Sequence, residues 1–356
     1  MQRFILRRAL LSLAVLGGLG LLATPLNAAR AAEDLPRLGV TLPATSVSGL
    51  SSGAYMAGQI ELAHSKDIVG AGIVAGGPFA CAETASGRLF PYWPIVMWQN
   101  ASQAANACMK VTWGVPDAEK LAKRAKELAE DDKIDDLSGL ADDKVYLFSG
   151  NEDQTVQRQV VEAAKRFYTA AGVPEASVTL VQKEGGHAFI TETEGTACGL
   201  SEEPYVSDCD YDQAEAILEW IYGPPLADPS PSPTGKFITF DQSSFGQGVA
   251  NGLAAEGVVY VPAACETNPG CRLHIALHGC EQARETVGDA FIKESGFARY
   301  ADTNRLVILF PQIAGSVVNP HGCWDWWGYS DIDYLGKDAP QIAAIWAMAE
   351  RLAAQP

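Results

Sequence analysis

Apolar residues fall along this chain in two rhythms. Short runs rich in Val, Ile, Leu and aromatic residues alternate with longer stretches in which apolar positions recur every three or four residues. The short runs predict strands over 45–50, 68–75, 144–148 and 178–182, and again over 236–240, 257–261, 273–277 and 306–310. The periodic stretches predict helices over about 54–65, 118–128, 155–171, 212–221, 289–303 and 339–354. Strands that alternate with helices indicate an α/β fold with a mostly parallel sheet flanked by helices. No internal repeat interrupts the pattern. Residues 224–235, rich in Pro and Ser, either separate two domains or form a surface connection inside one.

Residues 1–31 follow neither rhythm. Arg3, Arg7 and Arg8 precede a mostly apolar run over 9–23, and Ala29-Arg30-Ala31 then fits a small-residue cleavage site, with Ala28 as an alternative. This is the pattern of a secretory signal peptide. The run is shorter than the ~20 residues that span a bilayer, and the residues around Arg7-Arg8 give little support to a twin-arginine signal. Cleavage after Ala31 takes the formal charge from -17 to -21. So acidic a chain repels phosphate backbones and anionic lipid, so neither nucleic acid nor a membrane is an expected partner. The eight cysteines all lie in the mature segment 32–356, which is long enough to fold without staples, so they point to a periplasmic or extracellular destination. Proximity favours Cys81 with Cys108, Cys198 with Cys209, Cys265 with Cys271 and Cys280 with Cys323, as a guess among many connectivities. No C-x-x-C occurs and the histidines are scattered, so no metal site is expected.

The candidate chemistry begins at Gly49-Leu50-Ser51-Ser52-Gly53, the one G-x-S-x-G in the chain. A predicted strand precedes it and a predicted helix with small residues follows, the context of a nucleophile elbow. The alternative is an ordinary Gly/Ser turn. A serine nucleophile needs a base. His187 lies in a glycine-rich loop just after a predicted strand, where parallel α/β sheets place their working groups, whereas His64 and His274 fall inside predicted elements. Asp153, after the strand over 144–148, is the orienting acid of choice, with Glu152 as a neighbouring rival. The order Ser51, Asp153, His187 is that of an α/β-hydrolase.

The oxyanion loop of such a fold, a strand followed by His-Gly, normally precedes the nucleophile. Here the matching segment, ending in His278-Gly279-Cys280, comes far downstream, and the helix that should lead into the nucleophile strand is the last of the chain. Joining the two ends restores the usual order, which defines a circularly permuted α/β-hydrolase with 224–235 bridging the ancestral termini. The N–H groups of Ser52 and Cys280 are then the expected oxyanion donors. Gly322-Cys323-Trp324-Asp325-Trp326-Trp327-Gly328-Tyr329 is the densest aromatic cluster, and reads equally as core or as an apolar wall of the cleft. Trp93 and Trp98 form a second aromatic edge or further core.

The segment around Gly49–Gly53, the His278-Gly279-Cys280 loop and the Gly322–Tyr329 cluster together resemble the poly(3-hydroxybutyrate) depolymerases whose catalytic domain is circularly permuted. The resemblance covers nearly the whole mature chain. It implies a secreted serine esterase acting on short-side-chain polyesters, with Ser51 as nucleophile, Asp153 as acid, His187 as base and Ser52 and Cys280 as oxyanion donors. It implies that Trp326 lines the monomer subsites. Trp324, Trp327 and His321, the residue before the aromatic segment, complete the expected substrate-binding set. Many extracellular relatives carry a further polymer-binding domain. This chain reaches Pro356 directly after its last predicted helix, so none is expected, and amorphous polymer or soluble oligomers are the expected substrates. No cofactor is implied. The rival readings are a feruloyl or acetyl-xylan type carbohydrate esterase and a polymer-binding protein with a vestigial site.

Overall fold

The computed structural model describes residues 32–85, 92–246 and 251–356, and the expected signal peptide at 1–31 lies outside them. The strands are β1 (Thr45–Leu50), β2 (Ile68–Val74), β3 (Lys144–Gly150), β4 (Val178–Lys183), β5 (Phe189–Thr191), β6 (Thr196–Ala197), β7 (Val206–Asp208), β8 (Lys236–Asp241), β9 (Glu256–Val261), β10 (Arg272–Leu277) and β11 (Leu306–Phe310). Eight of them form one sheet in the order β4-β3-β2-β1-β10-β11-β9-β8, with strands from both sides of 224–235. All pairs from β4 to β11 are parallel, while β9 runs antiparallel to both β11 and β8.

The longer helices are α1 (Ser52–Ala63), α2 (Trp93–Gln103), α3 (Ala118–Glu130), α4 (Arg158–Ala171), α5 (Gln213–Tyr222), α6 (Phe297–Asn304) and α7 (Pro340–Ala353). Successive strand side chains point to opposite faces, so Val145 and Leu147 pack in one core with α1, α3, α4 and α7. Tyr146 and Phe148 pack in the other with α5 and α6. Burial on both faces is why these strands read as continuous apolar runs.

The two chain halves meet at β1, whose neighbours are β2 and the distant β10. The end of α7 touches the approach to β1. Leu38 and Val40 N–H donate to Leu352 O at 3.0 and 3.2 Å, and Gly39 N–H donates to Ala354 O at 3.0 Å. A chain joined there would run from β8 through β11 and α7 into β1, which is the usual α/β-hydrolase order, so the chain as it stands is its circular permutation. Bonds join Cys81 to Cys108, Cys198 to Cys209, Cys265 to Cys271 and Cys280 to Cys323.

Two expected elements differ in the structure, and two others were not expected. The helix over 289–303 is two, Ala290–Glu294 and α6, because Gly296 takes φ 89° between them. The helix after the elbow begins at Ser52, two residues early. Helix α2, with the π-helical turn Ala104–Met109 that continues it, was not expected, since its start carries Pro94 and exposed aromatics in place of a buried stripe. The small β5-β7-β6 sheet was also missed, because strands of two or three residues leave no periodic signal.

Candidate active site

The turn from β1 into α1 is too sharp for an ordinary backbone. Ser51 sits there with φ 56° and ψ -119°, outside the regions open to L-residues, at a cost of order 1–3 kcal/mol. The flanking glycines make the turn possible. A Cβ on Gly49 would lie 2.3 Å from the Gly53 carbonyl, and one on Gly53 would lie 2.4 Å from the carbonyl oxygens of both Leu277 and His278. Gly53 therefore lets α1 press against the end of β10.

Asp153 stands beyond the end of β3 and His187 in the loop beyond β4. Asp153 Oδ1 accepts N–H bonds from Thr155 at 2.7 Å and Val156 at 2.9 Å, and Oδ2 lies 2.8 Å from His187 Nδ1. Both residues are buried. With Nδ1–H donating to the carboxylate, Nε2 of the neutral ring is left as the acceptor. Glu152 has a different task. Its Oε2 accepts the Gly185 N–H at 2.7 Å and so shapes the loop that carries His187, whose own N–H donates to Ser201 Oγ at 2.7 Å.

Ser52 is the first residue of α1, so its N–H has no intrahelical acceptor. Cys280 follows His278-Gly279 at the end of β10 and is tied to Cys323. Ser51, His187 and Cys280 line one cavity of about 430 Å³. Trp326, Trp327 and His321 line it too. The Trp326 ring stacks on Tyr55 with centroids 4.0 Å apart, and Trp327 meets its edge at 5.8 Å. Asp325 holds this loop, accepting N–H bonds from Gly328, Tyr329 and Ser330 and the Ser330 hydroxyl. Burial raises the Asp325 pKa, and those bonds pull it back.

Trp324 is not a wall of the cavity, contrary to expectation. Its side chain is fully buried, with Nε1–H donating to His278 O at 3.0 Å and its backbone N–H donating to Ser52 Oγ at 3.3 Å. An indole N–H has to find a partner when buried, and here the partner is the backbone carbonyl of His278 just beyond β10. Of the second aromatic edge, Trp98 lines the cavity, and the sequence reading missed its companions there, Met97 and Ala101 of α2 with Ala104, Ala105 and Met109 beyond it. The helical spacing of Met97, Ala101, Ala104 and Ala105 was the available signal. It also missed a polar rim, where Glu281 accepts from Tyr205 OH at 2.9 Å and lies 2.6 Å from His321 Nδ1. Among the described residues no cluster of His, Cys, Asp and Glu is arranged to hold a metal ion.

A serine on a strained elbow, a buried Asp–His pair and a His-Gly loop, on this strand order, define the α/β-hydrolase class with a Ser-His-Asp arrangement. Comparison with known proteins narrows the class. No family model matches. The chain is 39% identical over 328 residues to the poly(3-hydroxybutyrate) depolymerase of Delftia acidovorans, which covers 90% of this chain but 62% of that protein's length. It is 36% identical over 338 residues to the polyhydroxybutyrate depolymerase of Talaromyces funiculosus, covering 88% of this chain and 91% of the relative. Two solved structures match at 32% identity, each over 90% of this chain and 98% of the other. One is the PHB depolymerase of Penicillium funiculosum, at a TM-score of 0.78. The other is a serine-to-alanine PHB depolymerase complexed with an R3HB trimer, at 0.77. This chain belongs to the poly(3-hydroxybutyrate) depolymerase family.

Proposed function

We propose that this chain is a secreted serine esterase that hydrolyses poly(3-hydroxybutyrate)-type polyesters or their oligomers through an acyl-enzyme. The observation that carries the reading is the 2.8 Å bond from His187 Nδ1 to Asp153 Oδ2, in a residue pair whose histidine shares a cavity with Ser51. Ser51 Oγ attacks the ester carbonyl as His187 Nε2 takes its proton, and Asp153 stabilises the imidazolium. The oxyanion accepts N–H bonds from Ser52 and Cys280. Collapse expels the alcohol, which recovers the proton from His187. Water then repeats the sequence on the acyl-enzyme.

The substrate class is supported by the activity named for the relatives and by the R3HB trimer bound in the structural neighbour. A cavity walled by Trp326, Trp327, Met97 and alanines suits an ester chain with short apolar side groups. Residues 32–356 are read as one catalytic domain with 224–235 as an internal connection. Export to the periplasm or the medium is supported by the leader-like residues 1–31 and by four disulfides, which persist in oxidising compartments. No helix among the described residues is long and apolar enough to cross a membrane.

Product analysis on amorphous polyester with wild type and Ser51→Ala tests the reading. Wild type should release 3-hydroxybutyrate oligomers and the variant none. Equal release by both would refute the nucleophile. Release of ferulate or acetate from polysaccharide, with no action on polyester, would move the enzyme to the carbohydrate esterases.

A further inference from the structure

We propose that Glu281 is a specificity-determining residue whose carboxylate makes the cavity admit uncharged ester segments and reject chains that end in a free carboxylate, the group each hydrolysis creates. The inference rests on the acyl-transfer reading above and deepens it.

Substrate and product of that reaction differ in charge. An internal polyester segment is neutral. Water cleaves it into an alcohol end and an acid end, and the acid is ionised at neutral pH. A cavity walled by Trp326, Trp327 and Met97 offers the same apolar contact to both. A fixed charge tells them apart, because a like charge brought alongside it is penalised. Among the described residues that line the cavity, Glu281 is the one carboxylate, and no Lys or Arg stands with it.

Glu281 is built into place. It directly follows Cys280, so its Cα lies about 3.8 Å from that of the proposed oxyanion donor. Its backbone takes φ 57°, a left-handed conformation uncommon outside glycine. Its N–H donates to His321 O at 2.7 Å. His321 Nδ1 lies 2.6 Å from Oε1, and because a carboxylate only accepts, that nitrogen carries the hydrogen. Tyr205 OH donates to Oε2 at 2.9 Å. Burial, then the bond to Glu281, pushes the Tyr205 hydroxyl up to about 12, so it stays a donor. The bonds from His321 and then Tyr205 hold the Glu281 carboxyl below its ordinary value, against the effect of burial. The carboxylate is therefore ionised at neutral pH and pinned by two other loops. Each of its oxygens keeps a further lone pair, which the hydroxyl end of a chain can use and an ionised acid end cannot.

The test measures kcat/KM for internal cleavage of R-3-hydroxybutyrate trimer and of its methyl ester in wild type, Glu281→Gln and Glu281→Lys. Assays run at low salt and about pH 8.5, above the range in which histidines ordinarily titrate. The ratio of methyl ester to free acid within each enzyme cancels any general change in activity. Gln keeps the size of the side chain without its charge. It should lower the ratio about threefold to fivefold from wild type, the scale of one partly exposed charge pair. Lys should lower it further. Raising NaCl to about 1 M should narrow the gap between wild type and Gln, which a merely structural effect would not do. Glu130→Gln, at the exposed end of α3, controls for the overall negative charge of the chain. Ratios are read on variants whose circular dichroism matches wild type, and if Lys does not fold, Gln against wild type decides. An unchanged ratio in Gln, a change that salt does not reduce, or an equal change in Glu130→Gln would overturn the assignment. Full activity in Ser51→Ala would instead sink the acyl-transfer reading itself. An inactive Ser51→Ala beside an unchanged ratio in Glu281→Gln would sink only this inference.

Discussion

Three donors converge on the carboxylate of Asp153, and together they fix its plane. The N–H groups of Thr155 and Val156 hold Oδ1, which turns Oδ2 toward His187 Nδ1. Asparagine would keep the shape but present either an amide donor to Nδ1 or a weaker carbonyl acceptor, favouring the wrong imidazole tautomer. Asp153→Asn should therefore lower kcat on a soluble ester by up to about 10⁴, with little change in thermal midpoint. Activity within tenfold of wild type would show that Asp153 does not orient the base. Gly53 carries a second residue-scale prediction. Any Cβ there meets two backbone carbonyl oxygens at 2.4 Å, and backbone cannot swing aside as a side chain can. Gly53→Ala should cost at least about 1–3 kcal/mol by forcing α1 away from β10, readable as a fall in denaturant midpoint together with lost activity. Unchanged stability and activity would mean that the elbow has room to move.

In the proposed mechanism two segments far apart in the chain present their N–H groups to one oxygen, so the elements that carry them need a strut. Trp324 supplies it, reaching Ser52 Oγ with its backbone and the His278 carbonyl with its indole. The Cys280–Cys323 bond lies one residue away and ties the loop of His278 and Cys280 to the loop that carries Trp324. Trp326, two residues on, faces the cavity instead. The two tryptophans should therefore fail differently. Trp324→Phe should lower kcat about tenfold with KM nearly constant, and Trp326→Ala should mainly raise KM for the trimer. The reverse pattern would exchange their roles. Their difference was not visible in the sequence, where the cluster reads as wall or core alike. Side-chain direction in this loop follows from Gly322 and Gly328 at positive φ and from the four bonds to Asp325, none of which has a period.

Across the whole molecule, burial has trapped ionisable groups away from the cavity, and these make stability depend on pH. Glu61 on α1 and Asp143 before β3 titrate as a pair. Burial, then the charge of its partner, raises Glu61, and burial raises Asp143 to about 8. Folded pKa values above the unfolded ones mean that this contribution is complete below about pH 4 and is lost as pH rises through about 8. Glu61→Gln with Asp143→Asn should therefore gain stability relative to wild type progressively as pH rises from about 4 to about 8, as followed by thermal unfolding. A pH-independent difference would mean that the pair is not held protonated. Ser51, Asp153, His187 and the His278-Gly279-Cys280 loop were all legible in the sequence, because each sits where an apolar run ends, and in a parallel sheet that end is where functional loops gather. The permuted order was legible too, since strand order follows from which loop precedes which. The assembled fold alone decided that Asp153 meets His187 while Glu152 braces the loop, that Trp324 bridges the elbow and the His278 carbonyl, and that α2 lines the cavity. Those outcomes depend on partners distant in the chain. Periodicity reports the face a residue turns to the core, and the partner it meets there is set by packing.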